Sequence, residues 1–125
     1  MVDKKIIAVD FDGTLCTHLY PEIGVIGGSQ QFVIDMVRDL YKKGHIIILW
    51  TCRTDCASRQ YLTEAVEWCK VNNIPLTYVN EHPEYEDQWL PRISRKLYAD
   101  FYIDDKSIIF EKDCTIRLNK LIVED

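Results

Sequence analysis

The chain has 125 residues, 47% of them hydrophobic and 28% charged, with a formal net charge of −5. That size and balance suit one domain with a buried core and exclude a disordered chain. No apolar run reaches the length of a membrane span, the apolar part of the opening "MVDKKIIAVD" is too short for a signal peptide, and the acidic balance argues against a nucleic-acid groove covering the surface.

In chain order, residues 4–9 ("KKIIAV") read as a strand whose unbroken apolar run implies burial on both faces. Residues 13–28 hold glycines and a proline and suit a long loop or small hairpin. Ser29 is placed to cap a helix with an inward stripe of Phe32, Val33, Met36, Val37, Leu40 and Tyr41, and Gly44 supplies its stop. "HIIILW" is a second buried strand. Thr54 or Asp55 is placed to cap a second helix with Ala57, Tyr61, Ala65, Trp68 and Cys69 on one side. "IPLTYV" and "ADFYI" read as a third and a fourth strand, and the polar, proline-interrupted segment between them as a surface loop. The tail over residues 113–123 fits helix or strand, with helix favoured.

Strands alternating with helices predict an α/β fold: a three-layer, Rossmann-like parallel sheet with helices on both faces. Without a repeat, low-complexity tract or linker, residues 1–125 form a single domain. Cys16, Cys52, Cys56, Cys69 and Cys114 are an odd set with no C-x-x-C pair, so a disulfide framework or zinc site is not expected and a reducing cytoplasm is. His18, His45 and His82 stand apart from the cysteines and from one another, which suits surface or loop roles.

Ligands of such sheets bind at the carboxyl ends of the strands. The first strand ends in Asp10-Phe11-Asp12-Gly13-Thr14, the second in Trp50-Thr51-Cys52-Arg53 and the fourth in Asp104-Asp105-Lys106, with Lys96 just before it. Taken singly, the Asp-Gly pair makes a turn, Thr51 a helix cap, Asp104-Asp105 a solvated turn and Lys96 an ordinary surface lysine. Together they gather acids, a hydroxyl and cations at one sheet edge. Crowded carboxylates raise one another's pKa values, and a hard divalent cation such as magnesium resolves the repulsion.

"DFDGTL" after a buried strand, "ILWTCR" ending the next and "RKLYADFYIDDK" resemble, in order, the motifs of the haloacid dehalogenase superfamily of phosphatases. The resemblance implies a magnesium-dependent phosphatase working through an aspartyl-phosphate, with Mg2+ as cofactor. It assigns Asp10 as nucleophile, Asp12 as general acid and base whose backbone carbonyl is also a metal ligand, and Phe11 as a core anchor between them. Thr51 and Lys96 would bind and neutralise the phosphoryl group, with Lys106 a competitor for the lysine role. Asp105 would bind the metal with Asp104 in support. Arg53 would contact substrate or pair with an acid of the loop.

The separations 51 − 10 = 41 and 96 − 51 = 45 leave no room for a cap domain, so the resemblance is to capless members. Tyr20, His82, Tyr85 and Trp89 are candidate contacts for substrate, with plain loop packing the alternative reading for each. The expected partner is a phosphorylated small molecule or a phosphorylated macromolecule end, with no membrane and with self-association worth testing. The alternatives are a receiver-like domain that accepts phosphate on an aspartate, and a non-catalytic binding protein of the same fold.

Overall fold

The computed structural model describes residues 4–81 and 96–106, together with the backbone of 108–110 and 116–118. Eight elements follow one another: β1 (Ile6–Val9), α1 (Gly28–Lys42), β2 (Ile46–Leu49), α2 (Tyr61–Val71), β3 (Tyr78–Val79), β4 (Phe101–Ile103), β5 (Ile108–Phe110) and β6 (Ile116–Leu118). β1 to β4 form a parallel sheet in the order β3-β2-β1-β4. β5 and β6 pair antiparallel, so residues 116–118 of the tail are strand where helix was favoured. The apolar–polar–apolar order Ile116-Arg117-Leu118 suits the two-residue period of a strand, and pairing with β5 decides it.

The sheet separates its side chains by parity. Ile7, Val9 and Phe11 join Ile47 and Leu49 on one face, where Val33, Ile34 and Val37 of α1 and Ala65 and Cys69 of α2 complete the core. Ala8 and Ile48 point the other way and pack under Leu97 and Ala99. Handedness explains this division. The chain moves from β1 to β2 to β3 in one direction, and right-handed crossovers put both connecting helices on the same face. The return from β3 to β4 runs in the opposite direction and crosses the other face. The expected helices on both faces are therefore found on one face among the described residues, with residues 97–99 lying over the second.

Local departures from the expected elements have simple causes. Phe32, Val33 and Ile34 are consecutive apolar residues, and the helix can bury only part of that arc. It buries Val33, Ile34 and Val37 and leaves Phe32 57% and Tyr41 46% exposed. Its N-cap is Gly27 rather than Ser29, and the Gly27 amide donates to Gln30 Oε1 at 2.9 Å. Gly44, at φ +95°, ends the helix as expected, since the left-handed region suits glycine.

α2 starts at Tyr61, so Ala57 lies outside it and is exposed. Asp55 still caps it from a distance: its Oδ1 accepts the amides of Leu62 and Thr63 and its Oδ2 the Thr63 hydroxyl at 2.6 Å. Those Thr63 bonds, hydroxyl first, hold the Asp55 carboxyl below the usual carboxylate range.

The rotated stripe of α1 gives a direct comparison. Ile34→Ala should lower unfolding free energy by about 2–4 kcal/mol in urea titrations, as buried large-to-small changes do. Phe32→Ala should change it by less than about 0.5 kcal/mol.

Candidate active site

The strand order reverses between β1 and β4, because β2 and β3 lie on one side of β1 and β4 on the other. A crevice opens at such a point, beyond the carboxyl ends of the two strands. The register pairs Val9 with Ile103, and the Asp10 amide donates to the Ile103 carbonyl at 2.9 Å. Asp10 thus leaves β1 beside Asp104 as it leaves β4. One carboxylate oxygen each from Asp10, Asp104 and Asp105 can be chosen so that all three lie within 4.8 Å of one another.

This convergence is electrostatically costly. Burial, then the charge on Asp104 and that on Asp105, push the Asp10 carboxyl up to about 7, against the Phe11 amide and the Thr14 hydroxyl, which favour its charged form. Burial also raises the Asp105 carboxyl. Asp105 Oδ1 is buried without a hydrogen-bond partner among the described residues, whereas Asp104 Oδ1 accepts the Lys106 amide at 2.9 Å. An all-oxygen donor set containing a buried orphan oxygen fits a hard divalent cation. Of the acidic pair, Asp105 offers the less committed oxygen.

The turn after β1 is shaped around this cluster. The Thr14 and Leu15 amides donate to the Phe11 carbonyl at 3.1 and 2.9 Å, folding the chain back at once. Gly13 has φ +88°, and a Cβ there would stand 2.2 Å from Asp105 Oδ2. Phe11 is fully buried, with its ring edge-on to Trp68 at 5.5 Å. Thr14, fully buried, donates its hydroxyl to Asp10 Oδ2 at 3.3 Å. It lies inside the "DFDGTL" motif, yet no role for it was legible until the turn brought it back onto Asp10.

Asp12 is not one of the three clustered acids; it lines the same cavity and is held by Arg53. Its Oδ2 accepts Arg53 Nε at 2.9 Å and its Oδ1 accepts Arg53 Nη2 at 2.8 Å. Arg53 is 1% exposed. Its pairing with Asp12 raises its pKa further. The acid that pairs with Arg53 is therefore the one at the end of β1, not one of the loop. Thr51 Oγ1 accepts the Arg53 amide at 3.2 Å, and the Thr51 amide donates to Asn80 Oδ1 at 2.8 Å. Asn80 was given no role by sequence reasoning; it follows β3, which pairs with β2, so it arrives beside Thr51 by sheet order.

A cavity of about 400 Å³ is lined by Asp10, Asp12, His18, Tyr20, Thr51, Cys52, Arg53, Asp104 and Lys106. Lys106, not Lys96, is among its lining residues. Lys96 Nζ lies 5.7 Å from the centroid of the Tyr102 ring. Tyr20 and His18 line the cavity from the loop after β1, and the Tyr20 ring also packs against Arg53 and Tyr61. His82, Tyr85 and Trp89 lie outside the described residues.

No family model and no curated protein matches the chain. Among solved structures it is similar to a conserved protein coded by a locus from Bacteroides thetaiotaomicron. The two are 36% identical over 84% of this chain and 78% of that chain, with a TM-score of 0.67. No helix among the described residues is long and apolar enough to cross a membrane.

Two outcomes test this electrostatic picture. Asp10 titrates higher in the fold than in the unfolded chain, from 3.8 to about 7. The metal-free fold should therefore be most stable with respect to this group below about pH 4 and lose that stability as pH rises through 7. In EDTA at pH 8, Asp10→Asn should raise the melting temperature by several degrees, at about 4 °C per kcal/mol for a chain of this length; a lower value would contradict the crowding. Gly13→Ala should displace the Asp105 carboxylate and bring the Asp10 titration below about 7, read by carboxyl NMR.

Proposed function

We propose that this chain, which belongs to one family with the conserved Bacteroides thetaiotaomicron protein, is a phosphatase of the haloacid dehalogenase type that hydrolyses phosphate monoesters with magnesium as cofactor. The observation behind this reading is the convergence of Asp10, Asp104 and Asp105 within 4.8 Å at the β1–β4 switch, with Asp105 Oδ1 buried and without a hydrogen-bond partner among the described residues. Asp10, Asp104 and Asp105 would hold the metal, with the Asp12 carbonyl as a further ligand. The bound ion would supply positive charge where a phosphate dianion meets a carboxylate.

The protein's own groups do the remaining work. Asp10 attacks phosphorus and becomes an aspartyl-phosphate. The Thr14 hydroxyl holds Asp10 Oδ2 in place, leaving Oδ1 to react. Asp12 gives a proton to the leaving oxygen and afterwards takes one from the attacking water. Thr51 accepts the Arg53 amide, so its hydroxyl proton remains available to a phosphoryl oxygen. Lys106 stands where its ammonium can offset charge on that group, and we assign it the neutralising role that the motif order gave to Lys96.

The fold is read as HAD-like and without a cap domain. The loop of residues 13–28, which brings His18 and Tyr20 to the cavity, takes the cap's place at the rim. A site open at its rim accepts either a phosphorylated small molecule or a phosphorylated macromolecule end.

Asp10→Asn should abolish turnover of an aryl phosphate while the circular dichroism spectrum is retained; undiminished turnover would exclude the mechanism. EDTA should silence the native protein and magnesium restore it. Lys106→Ala should cost about 10²–10³-fold in kcat, in the range of a lost charge-stabilising donor. Lys96→Ala should cost less than a tenth of that.

A further inference from the structure

We propose that Arg53 is the positioning residue of Asp12, holding its carboxylate for the hydrolytic half of the reaction rather than contacting substrate. This deepens the phosphatase reading and rests on it. Four of the five guanidinium N–H groups are already directed at protein acceptors: Nε and Nη2 to the two oxygens of Asp12, Nη2 also to the Glu22 carbonyl at 3.1 Å, and Nη1 to the Tyr61 carbonyl at 3.4 Å. The guanidinium carbon lies 5.1 Å from the Phe11 ring centroid and 5.0 Å from that of Tyr20, so aromatic rings cover the group. A 1% exposed arginine so engaged has little left to offer a phosphate.

The fork does fix Asp12. Two parallel bonds at 2.8 and 2.9 Å set both the position and the plane of the carboxylate. The same residue receives Thr51 Oγ1 at its backbone amide, so one side chain and its own backbone orient two groups of the site. In the first half-reaction, an Asp10 oxygen bonds to phosphorus, the bond from phosphorus to the leaving oxygen breaks, and protonated Asp12 gives its proton to that oxygen. In the second, a water oxygen bonds to phosphorus, the bond to Asp10 breaks, and the Asp12 carboxylate takes the water proton. The form paired with Arg53 is the carboxylate, which is the form the second half requires.

Aryl phosphates separate the two halves, because a phenolate of low basicity leaves without a proton. With magnesium and such a substrate, rapid-quench kinetics of Arg53→Met should show a burst of one equivalent of phenol. Steady turnover should then be slowed about 10²-fold, the size of a lost acid–base contribution. Intact-mass analysis should show the phosphorylated chain accumulating. Asp12→Asn should give the same signature, and the double variant should be no slower than Asp12→Asn alone.

Arg53→Lys, which keeps the charge but cannot form the fork, should fall between the native protein and Arg53→Met. It also provides the readout if Arg53→Met does not fold. Thermal unfolding of the four proteins of the cycle should show that the two losses are not additive.

A raised KM with kcat preserved would make Arg53 a substrate contact and overturn the proposal. So would a uniform loss without a burst, or additive losses in the double variant. If Asp10→Asn turned over as fast as the native protein, the phosphatase reading would fail and take this inference with it. A dead Asp10→Asn beside an unaffected Arg53→Met would overturn this inference alone.

Discussion

Mutual repulsion among Asp10, Asp104 and Asp105 is the constraint around which the molecule is arranged. A sheet can tolerate like charges at this spacing only where the main chain forces them together and something else compensates. Here the force comes from two parallel strands running side by side in register, with β1 flanked by β2 on one side and β4 on the other. Phe11, fully buried against Trp68, prevents the end of β1 from swinging away. Among the described residues the compensation includes the Thr14 hydroxyl and the Phe11 amide for Asp10, the Lys106 amide for Asp104 and the Lys106 charge for Asp105. It leaves the Asp10 and Asp105 carboxyls raised above the usual carboxylate range.

A second layer of charge surrounds the first and is of the opposite kind, since its members are matched. Arg53 satisfies Asp12, and Arg59 joins Glu22 to Glu64 with bonds of 2.9 to 3.1 Å. Through the Glu22 side chain and carbonyl these two arginines tie the loop after β1 to the start of α2. The cavity wall carrying His18 and Tyr20 is thereby fixed to the scaffold by four ionic side chains and by the tilted contact of the Tyr20 and Tyr61 rings, whose centroids lie 5.8 Å apart. The inner acids are thus crowded with one another, whereas the outer acids are each paired with an arginine that holds shape.

Much of this was legible from sequence because strand ends are legible. Once residues 6–9, 46–49 and 101–103 are recognised as buried parallel strands, their following residues must share an edge, and Asp10, Thr51, Asp104 and Asp105 come together without further information. The burial of Phe11 follows from parity. Parity failed in the helices, where three consecutive apolar residues in α1 leave the rotation undetermined by about one residue. It also failed for the start of α2, because Asp55 caps from six residues ahead of Tyr61 across an irregular loop. The choice between the two lysines is of a different kind: chain order puts Lys96 closer to the family pattern, whereas Lys106 is the one that lines the cavity. The partner of Arg53 was hidden because Asp12 and Arg53 are separated by 41 positions in sequence and adjacent only in space.

The pairing of β1 with β4 has a bearing on how the protein comes into being. The Ile6 amide bonds to the Asp100 carboxylate across 94 residues of chain, and the acid cluster forms just beyond it. β1, α1 and β2 are neighbours in sequence and can assemble with short loop closures, whereas β4 must return across the sheet before it finds β1. The crowded contact between Asp10 and the acids after β4 is therefore made only after nearly the whole sheet has been synthesised. A nascent chain shorter than about a hundred residues holds Asp10 alone at the end of a strand, in ordinary solvent. It is spared the strain of the site until the structure that can bear it exists.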